Sequence, residues 1–145
     1  FVDKVEVVDE NILWQKLLSE SFDPSQIAYI KEPLTEIITQ SGTVLKHKSA
    51  IHQIELKTTS QNAGFLVISE VYYPLRWKAK IDGKPIEILE TNGIIRGIEV
   101  PAGEHIVEFE YDRSVFHTGK LISFLSFILA ISIVAFGLVK SKNIK

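Results

Sequence analysis

Through residues 1–111 apolar side chains mostly fall at every second position, whereas from 121 to 139 polar positions almost vanish. A period of two marks strands with one buried face; a period near 3.6 marks helices. Val5–Val8 reads as a short strand, and Asp9 is placed to cap a helix over Asn11–Ser19, where Ile12, Leu13, Leu17 and the flank of Trp14 form a one-sided stripe. Phe22-Asp23-Pro24 ends that helix, because proline drives its predecessor out of helical geometry. Ile27–Ile30 is a short strand closed by Glu32-Pro33, and Ile37–Thr39, Thr43–His47 and Ile51–Thr59 follow as strands. In the last of these Ile54 and Leu56 share one face, with Gln53, Glu55 and Lys57 on the other. Phe65–Tyr73 is apolar almost throughout, as a central strand would be. Trp77–Ile81, Ile86–Thr91, Ile94–Val100 and His105–Tyr111 complete the series. Asp82-Gly83 and Asn92-Gly93 offer the positive φ that two-residue hairpin turns need. Turns arriving about every ten residues predict a mainly β fold: an antiparallel β-sandwich, jelly-roll-like, with a short N-terminal helix.

Leu121–Val139, LISFLSFILAISIVAFGLV, is nineteen residues without a charge, Pro, Asn, Gln or His. A helix rising about 1.5 Å per residue crosses a hydrocarbon core of about 30 Å with roughly 20 such residues. Ser123, Ser126 and Ser132 can bond back to carbonyls one turn earlier, so their hydroxyls do not oppose burial in lipid. A buried helix of a soluble protein is the alternative, but such helices usually keep a polar stripe. The chain is therefore divided into a β domain over residues 1–115, a transmembrane helix over 116–140 and a basic tail over 141–145. Lys140, Lys142 and Lys145 place the tail in the cytoplasm by the positive-inside rule, with Arg113 and Lys120 as the weaker opposing set. The stretch 112–119 is too short for a free tether, so the β domain is expected on or near the membrane surface.

Composition narrows the functions. The net charge is −2, and removing the three tail lysines leaves −5 for residues 1–139. A mildly acidic domain offers no basic stripe for nucleic acid. Cysteine is absent, which removes disulfides, thiolate nucleophiles and cysteine zinc sites. Phe1 is not an initiator methionine and no signal peptide precedes the domain, so the chain is read as the C-terminal piece of a longer membrane protein.

Candidate chemistry is sparse. Tyr72, Tyr73 and Trp77 cluster around a loop and could form a stacking platform for a sugar or lipid headgroup; core packing, with Tyr73 and Trp77 facing inward, competes with that reading. Arg76 could meet a phosphate, or serve only as a solvated loop cation. Arg96 could pair with Glu70 or Glu99 across the sheet, or contact an anionic substrate. His47 and His52 straddle a turn without a third ligand, so no metal is assigned. No nucleophile elbow, phosphate-cradling glycine loop or dinucleotide fingerprint occurs, so no cofactor is assigned, and no two carboxylates are singled out as a hydrolytic pair.

The run Gly64–Gly83, GFLVISEVYYPLRWKAKIDG, together with Asn92–His105, NGIIRGIEVPAGEH, and Glu108-Phe109-Glu110-Tyr111, resembles the C-terminal region of the YfhO-like bacterial membrane proteins. Phe22-Asp23-Pro24 after a short helix fits the same pattern, and the resemblance covers roughly residues 5–135. Two departures stand out: Pro74-Leu75-Arg76-Trp77 replaces the family's Pro-Gly-Trp, and Arg113 stands where a proline usually follows the last strand's Tyr. The resemblance implies a polytopic parent similar to the GT-C glycosyltransferases, moving a sugar from a polyprenyl-phosphate carrier to a cell-envelope polymer outside the bacterial cell membrane. In such enzymes the catalytic acidic residue lies in an early outer loop, so this chain by itself would be non-catalytic. Expected partners are the lipid bilayer, the rest of the parent protein, and a lipid-linked sugar or envelope glycan. The alternatives are an independent carbohydrate-binding module and a structural docking domain of a membrane complex.

Overall fold

The structure is a computed structural model and describes residues 1–35 and 42–142, with side chains through residue 134 in the last helix. Ten strands and two helices follow in the order β1 (Lys4–Val7), α1 (Glu10–Leu17), β2 (Ile27–Ile30), β3 (Thr43–Ala50), β4 (Gln53–Ser60), β5 (Gly64–Val71), β6 (Trp77–Ile81), β7 (Lys84–Ile86), β8 (Leu89–Thr91), β9 (Ile95–Val100), β10 (Gly103–Tyr111) and α2 (Ser114–Lys142). The strands form two five-stranded sheets, β1-β2-β8-β9-β5 and β3-β4-β10-β6-β7, antiparallel throughout except for the parallel β1–β2 pair. The fold is the mainly β sandwich that the alternation predicts, with a short N-terminal helix and one C-terminal apolar helix. The predicted strand Ile37–Thr39 lies outside the described residues.

The sandwich core draws on both sheets. Ile54 and Leu56 of β4, Ala79 and Ile81 of β6, and Val107 and Phe109 of β10 meet Leu66 of β5 and Ile98 and Val100 of β9. The polar positions Gln53 and Lys57 point out from β4, as its alternation requires. The first sheet has a second interior. An antiparallel bridge from Val2 to Phe65 links the β1 side of the sheet to β5, so the sheet curls round on itself. It encloses Val2, Ala28, Ile30, Phe65 and Leu89. Outside the curl, α1 lays Leu13 against Val8 and Tyr29.

Both hairpin dipeptides adopt the predicted geometry: φ is 50° and 78° at Asp82 and Gly83, and 49° and 78° at Asn92 and Gly93. These are the left-handed pairs of type I′ turns, whose twist matches that of the flanking strands. Four local expectations are corrected. Asp9 occupies the N-cap of α1, but its side chain makes no capping bond. Ile51 and His52 form the β3–β4 turn rather than opening β4. The predicted strand Phe65–Tyr73 stops at Val71, beyond an irregularity between Ile68 and Val71. Ile86–Thr91 is two strands, because the chain crosses here from one sheet to the other and buries Ile88 in the core between them.

The chain divides into two compact units, the second beginning at Asp112. α2 carries a candidate membrane span over Ser114–Val134, 21 residues with no buried side chain. Ser126 and Ser132 donate their hydroxyls to the carbonyls of Ile122 and Ile128, both at 2.9 Å, so these polar groups are satisfied within the helix.

Candidate functional site

Arg96 is the residue around which a site can be built. On β9 the side chains of Arg96, Ile98 and Val100 point to one face; Ile98 and Val100 belong to the sandwich core, so Arg96 occupies a position meant for an apolar residue. Its side chain is fully buried. The guanidinium lies over the Trp77 ring at 4.1 Å from the centroid and over Phe109 at 5.3 Å. Nη2 meets Glu70 Oε2 at 3.3 Å, while Nε and Nη1 have no hydrogen-bond partner. Burial pushes its pKa down, and Glu70 opposes that. A guanidinium starts so high that it stays charged, so the ring faces and one carboxylate must replace its water.

Two features of the backbone set this up. Ile68 pairs with Arg96 and Val71 with Ile95, so Ser69 and Glu70 form extra length on β5. Such a bulge re-aims side chains, and here it brings Glu70 to Arg96. Trp77 is held from the other sheet by pairing with Tyr111, whose ring meets it edge-on at 5.5 Å; His52 lies on the far side of Tyr111 at 6.0 Å. The result is a row running His52, Tyr111, Trp77, Arg96.

The remaining candidates divide. Tyr72 packs against the core, and burial raises its hydroxyl pKa, with Glu90 adding to the effect. Tyr73 is 43% exposed, because the bulge shifts the alternation that would have turned it inward. Arg76 is half-buried in the loop, where its backbone N–H and that of Trp77 both donate to the Tyr73 carbonyl. One face of Trp77 is taken by Arg96, so Tyr73 is the more open ring. Glu99, the other partner considered for Arg96, instead accepts from the backbone N–H and hydroxyl of Thr35 at 3.0 Å.

Two arrangements escaped the sequence reading. His105 Nδ1 meets Asp82 Oδ2 at 2.7 Å and its Nε2 meets the Ala102 carbonyl at 3.1 Å, while Asp82 Oδ1 accepts from the Ile106 N–H. Both ring nitrogens are engaged, so the pair ties a turn to β10 and leaves no free base. Asp82 raises the His105 pKa above its ordinary value. A cleft of about 410 Å³ is lined by Glu32, Glu87 and Glu99 among smaller residues. No His, Cys, Asp and Glu group that could hold a metal ion occurs among the described residues.

The sequence model described as bacterial membrane protein YfhO matches residues 28–123, more than half of the chain. The chain belongs to the YfhO family. The match begins within β2 and runs into α2, so it takes in Arg96, Glu70, Trp77, Phe109 and the Tyr72–Trp77 loop, and leaves out β1 and α1. No match was found among curated proteins. No solved structure matched either. Membership in a family of membrane proteins agrees with the apolar helix, and the chain is assigned to the membrane.

Proposed function

We propose that residues 1–115 form an extracytoplasmic accessory domain of a larger YfhO protein, that 116–140 span the bilayer, and that the 141–145 tail is cytoplasmic. The larger protein transfers a sugar from a polyprenyl-phosphate carrier to a cell-envelope polymer, and this domain helps to shape or cover the acceptor side. The observation that carries the reading is a YfhO match joined to a helix whose described side chains are all exposed. So long an apolar surface stays out of water only in lipid or against other protein. The lysine tail supports the orientation. The sugar chemistry is supported by the likeness of the family to the GT-C enzymes. Of Tyr72, Tyr73, Arg76, Trp77 and Arg96, the open Tyr73 and the half-buried Arg76 are assigned to ligand or interface contacts, with Tyr72, Trp77 and the buried Arg96 positioning the loop behind them.

Orientation is tested in intact cells with a membrane-impermeant thiol reagent, since the chain has no cysteine to interfere. Lys48→Cys should react and Ser141→Cys should not; the reverse pattern overturns the orientation. Transfer is tested by following radiolabelled sugar from its polyprenyl phosphate into polymer in membranes. Removing residues 1–111 from the parent protein should abolish incorporation, and unchanged incorporation removes the accessory role. Direct glycan binding is a second reading, favoured by the cleft with its three carboxylates, which suit sugar hydroxyls. It predicts that Glu87→Gln weakens the binding of envelope glycan to the full chain.

A further inference from the structure

The strand register shows what surrounds the C-terminal end of β10. Tyr111 pairs with Trp77 and Glu110 with Gln53, so the β3–β4 turn and the 72–76 loop lie at this end. The Tyr111 N–H donates to the His52 carbonyl at 2.9 Å. In the other sheet Val71 pairs with Ile95, and the Tyr72 N–H donates to the Ile94 carbonyl at 2.8 Å. Ile51, Val71, Tyr73, Leu75 and Ile94 therefore crown one end of the sandwich, with exposures of 88%, 70%, 43%, 72% and 61%. Among the described residues, the turns Gln61-Asn62-Ala63, Asp82-Gly83 and Pro101-Ala102-Gly103 at the opposite end carry no large aliphatic or aromatic side chain. The two ends differ sharply in polarity. Val44, Leu45 and Ile106 on the strands and Trp14 and Leu18 by α1 are exposed too, but a soluble domain has no reason to crowd five such side chains onto one end.

What meets this end follows from the chain itself. β10 stops at Tyr111, and only Asp112 and Arg113 separate it from the helix that carries the apolar span. We infer that the apolar end of the sandwich is seated in the interfacial layer of the lipid bilayer, with Ile51, Leu75 and Ile94 among the headgroups and first acyl carbons. Tyr73 suits that layer too, since its ring has an apolar body and a polar tip. The inference rests on the reading that α2 spans the membrane, and it adds the surface that does the docking.

The test uses the full chain reconstituted in phosphatidylcholine vesicles, with one cysteine at a time carrying an environment-sensitive fluorophore. Shallow nitroxide-labelled phosphatidylcholine serves as the quencher. Ile51→Cys and Leu75→Cys probes should lose most of their emission, Ala102→Cys at the other end should lose none, and Leu125→Cys in the helix should be quenched. If Leu125→Cys is quenched while positions 51 and 75 are not, the docking is overturned and the span stands. If none is quenched, the span falls and the docking with it. Probes at 51 and 75 that are blue-shifted but unquenched would mean that protein, such as a second copy of the chain, covers this end, and would also overturn the proposal.

Discussion

Arg96 and Gly97 are neighbours on β9, and they face opposite interiors. Gly97 looks into the curl of the first sheet, where a Cβ would come within 2.5 Å of the Phe65 ring and 2.6 Å of the Thr91 hydroxyl. Arg96 looks into the core between the sheets, where a whole guanidinium is enclosed by Trp77, Phe109 and Glu70. One interior lacks room for a methyl group; the other contains a charge. The contrast shows that close packing governs the curled sheet, where the one polar group met, the Thr91 hydroxyl, donates to the Leu89 carbonyl. The end of the sandwich nearest Tyr111 is built around a cation that packing energy did not require.

The largest effect should come from the tighter side. Gly97→Ala should destabilise the chain by about 3 kcal/mol, because the fully buried Phe65 cannot move aside without disturbing Val2 and Leu89. Denaturant titration of the full chain in detergent, followed by tryptophan fluorescence, measures it. Phe65→Leu in the same chain should recover part of the loss, since the two sites share one space. On the other side, Arg96→Ala should cost about 2–3 kcal/mol through the cavity it leaves. Arg96→Met should fall within about 1 kcal/mol of the parent, because Met fills the volume and brings no charge to desolvate. Glu70, 55% exposed, is left to water without a large penalty. If Arg96→Met folds but the proposed sugar transfer by the parent protein fails, the charge serves function; if it unfolds like Arg96→Ala, the charge holds Trp77 in place.

Much of this was legible in the chain. Alternation marked the faces of β4 and β10, and the two dipeptides Asp82-Gly83 and Asn92-Gly93 placed their turns, because both signals are local and depend on nothing distant. Ile27–Ile30 and Trp77–Ile81 came out with the boundaries the structure gives them. The curl of the first sheet was not legible, since it depends on Val2 meeting Phe65 across 63 positions of sequence. Arg96 was read as a partner for an acidic neighbour, and its contact with Glu70 is one such pair. Its burial could not be read: no pattern in NGIIRGIEV says that the arginine takes a position facing the core. The bulge at Ser69 and Glu70 hid the change of face that turns Tyr72 inward and Tyr73 outward.

A smaller effect tests how β9 is held at its start, before the two faces diverge. Asn92 is buried and bonds twice to Tyr29 of β2: its Oδ1 accepts from the Tyr29 N–H and its own N–H donates to the Tyr29 carbonyl, both at 2.8 Å. Asn92→Ala keeps the backbone bond but orphans the Tyr29 N–H and puts alanine at positive φ, for a loss of about 2 kcal/mol. Asn92→Asp should cost less, since a carboxylate oxygen still accepts. Equal losses would mean that the turn conformation, rather than the bond to Tyr29, carries the effect.

The smallest effect asks whether burial, rather than charge as such, sets Arg96 apart. The His105–Asp82 pair carries charge at the surface, with Asp82 half-exposed, so its contribution is modest and screened. The carboxylate of Asp82 raises the His105 pKa from its ordinary 6.5, so the stability His105 adds is complete below that value and fades as pH climbs through the raised one. The Ile106 N–H, then His105, lowers the Asp82 pKa from 3.8; its share is present above 3.8 and fades as pH falls through the lowered value. Stability of the parent should thus be level between about pH 4 and 6.5 as far as this pair is concerned, and decline on the alkaline side first. Asp82→Asn retains an acceptor for the Ile106 N–H while removing the charge, so it should return the alkaline decline toward the ordinary histidine range. A decline that Asp82→Asn leaves unmoved would overturn its assignment to the His105–Asp82 pair. Arg96→Met should leave the same profile unchanged, because a guanidinium does not titrate in this range.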